Sequence, residues 1–188
     1  MPKVIAELQI FQAVMEVIAE RGYAGATTRQ IAESAGVSEV TLFRKYGSKA
    51  ELVKCAISAL VEQTEFELAT QYTGDIRADL LRVLQAYQET VILHERFFFA
   101  LFAEFNHTPE LTNSFSQPLG LFQSIGELLL RYQTEGVLMP ENPLHSAASL
   151  LGPLLYFSMI ANSVGDVSMP PMDMETHIRH FLEGRFKG

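Results

Sequence analysis

The sequence predicts an all-α fold: an N-terminal helix-turn-helix domain of three helices, then a larger C-terminal helical domain, about nine helices in all. Three observations carry this. Apolar residues recur at three- and four-residue spacing through almost the whole chain. Ser/Thr-x-x-Glu/Gln caps stand ahead of those runs and glycines behind them. No stretch alternates apolar and polar residues over a length that would make a strand.

The first helix is expected over Val4–Arg21, where Phe11, Val14, Met15 and Ile18 form one stripe and Gly22 stops it. GYAGAT then leads to Thr27 and Gln30, a capping box that satisfies orphan amides at the start of the second helix. Ile31, Ala32 and Ala35 give that helix a stripe made mostly of alanine, so a neighbour can approach closely. Gly36 stands where a left-handed residue would end it. Val37 fills the space under the turn and Ser38 caps a third helix, Glu39–Tyr46, with Leu42 and Tyr46 facing inward four residues apart. Gly47 ends this helix, and Ser48 with Glu51 caps the next. Two short helices joined by a tight glycine-containing turn make a helix-turn-helix unit, an arrangement found in DNA-binding proteins and also in plain helical hairpins.

The fourth helix is expected over Lys49–Gln71 and the fifth over Asp75–His94, with Ile76, Leu80, Leu81, Leu84, Tyr87 and Val91 on its inner side. An aromatic segment, HERFFFALFAEFNHTPEL, breaks near Thr108-Pro109. Further helices follow at Gln117–Glu135, at Leu144–Val164 with a kink at Gly152-Pro153, and at Met174–Phe186. GDVSMPPMD reads as a loop. The domain boundary is placed between residues 50 and 51, giving residues 1–50 and 51–188.

The net charge of −8 is unevenly shared. Residues 1–54 hold seven basic and six acidic side chains, whereas the remainder holds seven and sixteen. The acidity therefore belongs to the C-terminal part, and a weakly basic N-terminal part implies modest DNA affinity per subunit and a need for dimerisation. One cysteine, Cys55, excludes an intrachain disulfide framework and a cysteine-rich zinc site. No uninterrupted apolar run is long enough to span a bilayer, so no membrane role and a cytoplasmic location are expected. No glycine-rich phosphate loop or Ser-centred nucleophile motif is present, and His177 and His180 beside Glu175 read as exposed residues of a terminal helix. No enzyme activity, cofactor or metal is expected.

Gly22-Tyr23, Thr27-Thr28, Ile31-Ala32, Ala35-Gly36-Val37-Ser38, Thr41-Leu42-Phe43, Tyr46 and Ser48-Lys49 followed by Leu52 together resemble the DNA-binding domain of the TetR family of transcriptional regulators. Past residue 60 the similarity is one of length and helix order. The resemblance implies an all-helical homodimer whose C-terminal domain binds a small-molecule effector and forms the dimer interface. It makes Glu39–Tyr46 the recognition helix, with Ser38, Glu39, Val40 and Thr41 closest to base edges of a double-stranded operator. Phe43, Arg44 and Lys45 would lie along the phosphates, and Thr27, Thr28, Arg29 and Lys49 would hold phosphate at helix starts. Phe43 replaces the family's usual Tyr, removing one hydroxyl. Glu39 either accepts from a cytosine amino group or simply favours the helix start.

In the C-terminal part, Phe98, Phe102, Phe105, Phe122, Tyr132, Tyr156 and Met159 are candidates for an apolar effector pocket, with core packing as the plainer reading. His94, Asn106, His107, Gln133 and Asn162 are polar candidates to orient a ligand. Leu151, Leu154, Leu155, Ile178, Phe181 and Leu182 are candidates for the dimer interface, and the same stripes could face the chain's own core. The expected function is a ligand-responsive transcriptional regulator, a homodimeric repressor released from a palindromic operator by a small apolar or aromatic effector. The alternative is a helical small-molecule binder or interaction protein that has lost specific DNA binding.

Overall fold

The computed structural model describes residues 3–64, 66–163, 170 and 172–186 of the chain; the loop expected at residues 165–173 and the Asn162 side chain fall largely or wholly outside them. The described residues form ten α-helices: α1 Lys3–Gly25, α2 Thr28–Ser34, α3 Glu39–Tyr46, α4 Lys49–Gln63, α5 Phe66–Ala69, α6 Ile76–Tyr87, α7 Glu95–Glu104, α8 Ser116–Thr134, α9 Pro143–Ser163 and α10 Met174–Glu183. A π-helical turn, Gln88–Ile92, follows α6, and a 3-10 segment, Pro109–Phe115, precedes α8. The chain divides into two units, residues 1–63 with 94–117 and residues 64–93 with 118–188.

In the first unit α1 packs against α2, α4 and α7. Its apolar stripe is buried at Ile10, Val14, Val17 and Ile18, and Gly22 adopts φ 72, which interrupts the helix where the sequence places its stop. Leu52, Val53, Ala56 and Ile57 of α4 complete the layer. The aromatic segment supplies the rest of this core. Phe97 and Phe98 are buried in α7, and Phe102 and Phe105 both meet the Phe115 ring, at 4.9 and 4.8 Å. Such ring pairs add about 1 kcal/mol each beyond their buried area.

In the second unit α6 carries Leu80, Val83 and Leu84 into a core shared with Ile125, Leu129 and Tyr132 of α8, Leu150 and Leu154 of α9, and Ile178 and Leu182 of α10. Gly126 of α8 allows a close approach: a Cβ there would lie 3.1 Å from Leu144 Cδ2. Asp75 caps α6 by accepting from the amides of Arg77 and Ala78. A buried carboxylate, Asp79, sits one turn further on. It accepts from the Thr73 amide (2.9 Å), the Thr73 hydroxyl, Arg82 (2.8 Å) and the Tyr132 hydroxyl (2.6 Å). Burial pushes its pKa up, and those bonds from Thr73, Tyr132 and Arg82 outweigh burial and hold it below the ordinary 3.8.

Three expectations are corrected. The Lys49–Gln71 helix ends at Gln63, leaving α5 as a single separate turn and raising the count from nine to ten. The Asp75–His94 helix changes to π geometry at Gln88, where Leu93 N bonds Gln88 O at 3.0 Å. The buried Thr90 hydroxyl donates to Ala86 O (2.8 Å) and lies 2.8 Å from the Thr64 hydroxyl, so a side chain competes for a carbonyl of the ladder and widens it. The last helix ends at Glu183, and Phe186 forms an isolated bridge with Leu138.

By length and composition α9 could cross a membrane: Pro143–Ala161 has a mean hydropathy of 1.4, and 28% of it is buried. His145, Ser146, Ser149 and Ser158 interrupt the apolar run of this helix. The helix continues through Pro153.

Candidate nucleic-acid interface

The hairpin of α2 and α3 is set by local chemistry. Thr27 Oγ1 accepts from Gln30 N (3.2 Å) while Gln30 Oε1 accepts from Thr27 N (3.0 Å), closing the capping box. Gly36 at φ 66 turns the chain, and Val37 N bonds back to Ala32 O at 3.0 Å. Ser38 Oγ accepts from Thr41 N at 3.1 Å and lies 2.8 Å from the Thr41 hydroxyl. Ile31, Ala32 and Leu42 are buried beneath. The hairpin thus presents a defined outer surface on α3.

That surface exposes two apolar side chains at adjacent turns, Val40 at 76% and Phe43 at 56%. Ser38, Glu39, Arg44 and Lys45 are exposed around them, and Thr41 is half-buried. Glu39 Oε1 accepts from the Thr28 hydroxyl at 2.6 Å, tying the first turn of α3 to the first turn of α2. Arg29 pairs with Glu33 at 3.0 Å on the exposed side of α2. Lys45 pairs with Glu7 of α1 and lies 5.1 Å from the Tyr46 ring centroid. Burial works against its charge, and the bond to Glu7 with the Tyr46 side chain alongside outweighs that and raises its pKa above 10.5.

Lys49 departs from expectation. Its Nζ donates to Tyr23 O (2.7 Å) and Ala26 O (2.9 Å) and stands 4.0 Å from the Tyr23 ring centroid. Burial lowers its pKa, with Glu104 opposing. The ammonium is directed at the chain's own backbone. Thr28 departs too, since its hydroxyl serves Glu39. Tyr23 and Glu7 were missed as contributors. Tyr23 stood inside the Gly22-Tyr23 match without an assigned role, and nothing in the sequence links Glu7 to Lys45 across 38 residues.

The effector candidates are divided between the two units. Phe98, Phe102 and Phe105 belong to the first unit, Phe98 buried, Phe105 half-buried and Phe102 49% exposed, while Phe122, Tyr132, Tyr156 and Met159 belong to the second. Tyr132 is fully buried against Asp79, whereas Tyr156 (62%) and Met159 (37%) face outward. The second unit instead holds a pocket of ≈ 280 Å³ lined by Ile92, Leu154, Phe157, Ala161, Met172 and Met174, with Gln88 and Ser158 as its polar groups. Leu154, Phe157, Ser158 and Ala161 share one helical face, the spacing that could have found it; Tyr156 and Met159 lie on another. The π turn supplies Gln88 and Ile92.

The dimer candidates take the second of the two places the sequence allows them, the chain's own core. Leu151, Leu154, Ile178, Phe181 and Leu182 are 6% exposed or less and Leu155 is half-buried, so this stripe serves the chain's own core. The exposed residues of α9 include Ala148, Ser149, Gly152, Tyr156 and Met159, none of them charged. Among the described residues no group of His, Cys, Asp and Glu has the placement of a metal site.

Residues 10–56 match the sequence family described as bacterial regulatory proteins, tetR family. The HTH-type transcriptional regulator YvkB of Bacillus subtilis is 28% identical over 186 residues, covering 90% of each chain. A protein described as a candidate fatty acid metabolism regulator of Clostridium perfringens has a similar fold, with a TM-score of 0.76 at 20% identity over 94% of this chain and 97% of that one. The flavonoid-responsive regulator FrrA matches with a TM-score of 0.66 at 20% identity over 97% and 98%. At those identities the structures establish a common fold.

Proposed function

The chain belongs to the TetR family of bacterial regulatory proteins, and from that premise we propose that it is a homodimeric, effector-released repressor acting on chromosomal DNA in the cytoplasm. The observation that carries the reading is the outer face of α3, where Val40, Phe43 and Arg44 are exposed at the end of a helix capped by Ser38. A recognition helix enters the major groove with its N-terminal residues on base edges. Val40 methyls suit a thymine methyl, and Ser38, Glu39 and Thr41 supply donors and acceptors beside it. Arg44, Arg29 and Lys45 serve phosphate, and Thr27 and Thr28 lie at the start of α2, where amides point outward. Phe43 contributes apolar contact with sugar edges.

Residues 1–50 are the DNA-binding part and residues 51–188 the effector-binding and dimerisation part. The uncharged outward face of α9 is the surface for the second copy, joined about a two-fold axis. Half-sites then lie about one helical turn, roughly 34 Å, apart. The effector is small and apolar or aromatic, held between Phe157, Leu154 and the two methionines and oriented by Gln88. Two proteins of the same fold, a flavonoid-responsive regulator and a regulator tied to fatty acid metabolism, agree with such a ligand. Release requires the effector to bind the DNA-free state more tightly.

Selection of duplexes from a random pool, followed by anisotropy titration of the enriched sequence, tests the reading. A palindromic consensus bound by two chains is expected. A pool that yields no enriched sequence would overturn it.

A further inference from the structure

Lys49 opens α4, where a phosphate ligand was expected, yet the surroundings of its ammonium are those of an internal clasp. An ammonium carries three donors. Two reach Tyr23 O and Ala26 O at 2.7 and 2.9 Å, and the Tyr23 ring covers a further side at 4.0 Å. Both carbonyls belong to buried residues just past the Gly22 interruption, where the helical ladder of α1 gives out and carbonyls lack intrahelical partners. Ala26 immediately precedes Thr27, the cap of α2. One cation on α4 therefore holds the connector from which the whole α2–α3 hairpin departs.

We infer that Lys49 is a positioning residue for DNA binding, a clasp that fixes the pose of α2 and α3 against α1 and α4 and makes no phosphate contact. This rests on the DNA-binding role of α3, and the tests below separate the two. Neutralising a phosphate ligand makes log K against log [salt] shallower by roughly 0.9 and weakens every duplex alike. Releasing a clasp leaves the cationic surface intact and misplaces the base-reading side chains.

The first test needs no variant: reductive methylation of wild-type lysines followed by mass spectrometry, with and without the selected duplex. Lys49 is expected to react far more slowly than Lys54 in both. A Lys49 that reacts like Lys54 in free protein, and is protected only by DNA, overturns the inference. The second test titrates Lys49→Met against the selected duplex and a random-sequence duplex between roughly 50 and 200 mM salt. The expected result is an unchanged salt slope and unchanged random-duplex affinity, with affinity for the selected duplex down about tenfold, the effect of one lost base contact. A shallower slope with both affinities reduced identifies a phosphate ligand. A folded variant with wild-type selectivity identifies a merely structural lysine. Either overturns the proposal. If wild type itself selects no duplex, the DNA-binding reading fails, while slow Lys49 methylation still reports the clasp.

Discussion

Asp79→Asn tests the polar centre of the second unit. The carboxylate is fully buried and its oxygens divide the work. Oδ2 accepts from the Thr73 amide and the Tyr132 hydroxyl, and Oδ1 from the Thr73 hydroxyl and Arg82. An asparagine can place its NH₂ on either side. On the Oδ2 side it meets the Thr73 amide, donor against donor; on the Oδ1 side it meets Arg82. Hydroxyls can turn round to accept, but the amide and the guanidinium cannot. Arg82 is 37% exposed and recovers much of its loss in water, so the variant settles with the amide facing Arg82. The remaining cost is a charge-assisted bond to Thr73 and one to Tyr132 reduced to neutral ones, together about 3 kcal/mol. For a chain of this size that is roughly 6–12 °C in Tm.

The pH dependence has a definite sign. Asp79 is held below 3.8 in the folded chain, so its ionised form contributes stability above the unfolded value, and that contribution is lost as pH falls through the folded value. Urea melts of wild type and Asp79→Asn should therefore differ fully near neutral pH and converge below about pH 4. A variant melting within a degree or two of wild type at neutral pH would refute the assignment. So would a difference that stays constant into acid.

Arg44→Ala should weaken all duplexes alike and make the salt slope shallower by roughly 0.9 per chain, read by anisotropy. Tyr156→Glu places a charge on the outward face of α9, and sedimentation should show a monomer that is still folded; an intact dimer would exclude that face. Ala161→Trp fills the ≈ 280 Å³ pocket and should abolish ligand-induced thermal shifts while leaving DNA binding in place. Thr90→Val removes the hydroxyl that bonds Ala86 O and should cost about 1 kcal/mol in urea melts.

What the sequence revealed and what it hid separate by range. Thr27 with Gln30, Ser38 with Thr41 and the left-handed Gly36 are interactions over three residues or one, so spacing alone exposes them. The bond from Thr28 to Glu39 spans 11 residues, Lys49 to Tyr23 spans 26 and Tyr132 to Asp79 spans 53. Those depend on how helices pack, which residue types do not encode singly. The α9 and α10 stripes show a related error. The most apolar stripe is drawn into the chain's own core because burial of Leu and Phe stabilises the folded unit first. The face of α9 left exposed is one of Ala, Ser, Gly, Tyr and Met.

The same long-range contacts revise the electrostatic argument for dimerisation. Seven basic residues in the first 54 suggest a usable patch. Lys49 faces inward, Lys54 pairs with Glu51, Lys45 with Glu7 and Arg29 with Glu33. Arg44 stands on α3 with no ion pair among the described residues. The Arg29–Glu33 pair is 77% and 63% exposed, and such pairs are worth about 0–1 kcal/mol, so a phosphate can displace the carboxylate at little cost. Lys45 yields less readily, because Glu7 and Tyr46 both hold it. The α2–α3 hairpin of one chain thus offers DNA about three cations, Arg29, Arg44 and Lys45, too few for tight binding at physiological salt, where roughly six to ten phosphate contacts are typical of strong electrostatic binders. Two chains reach the lower end of that range. The scarcity of free charge on α3 is what the proposed homodimer answers: a second copy would supply the cations a single hairpin lacks.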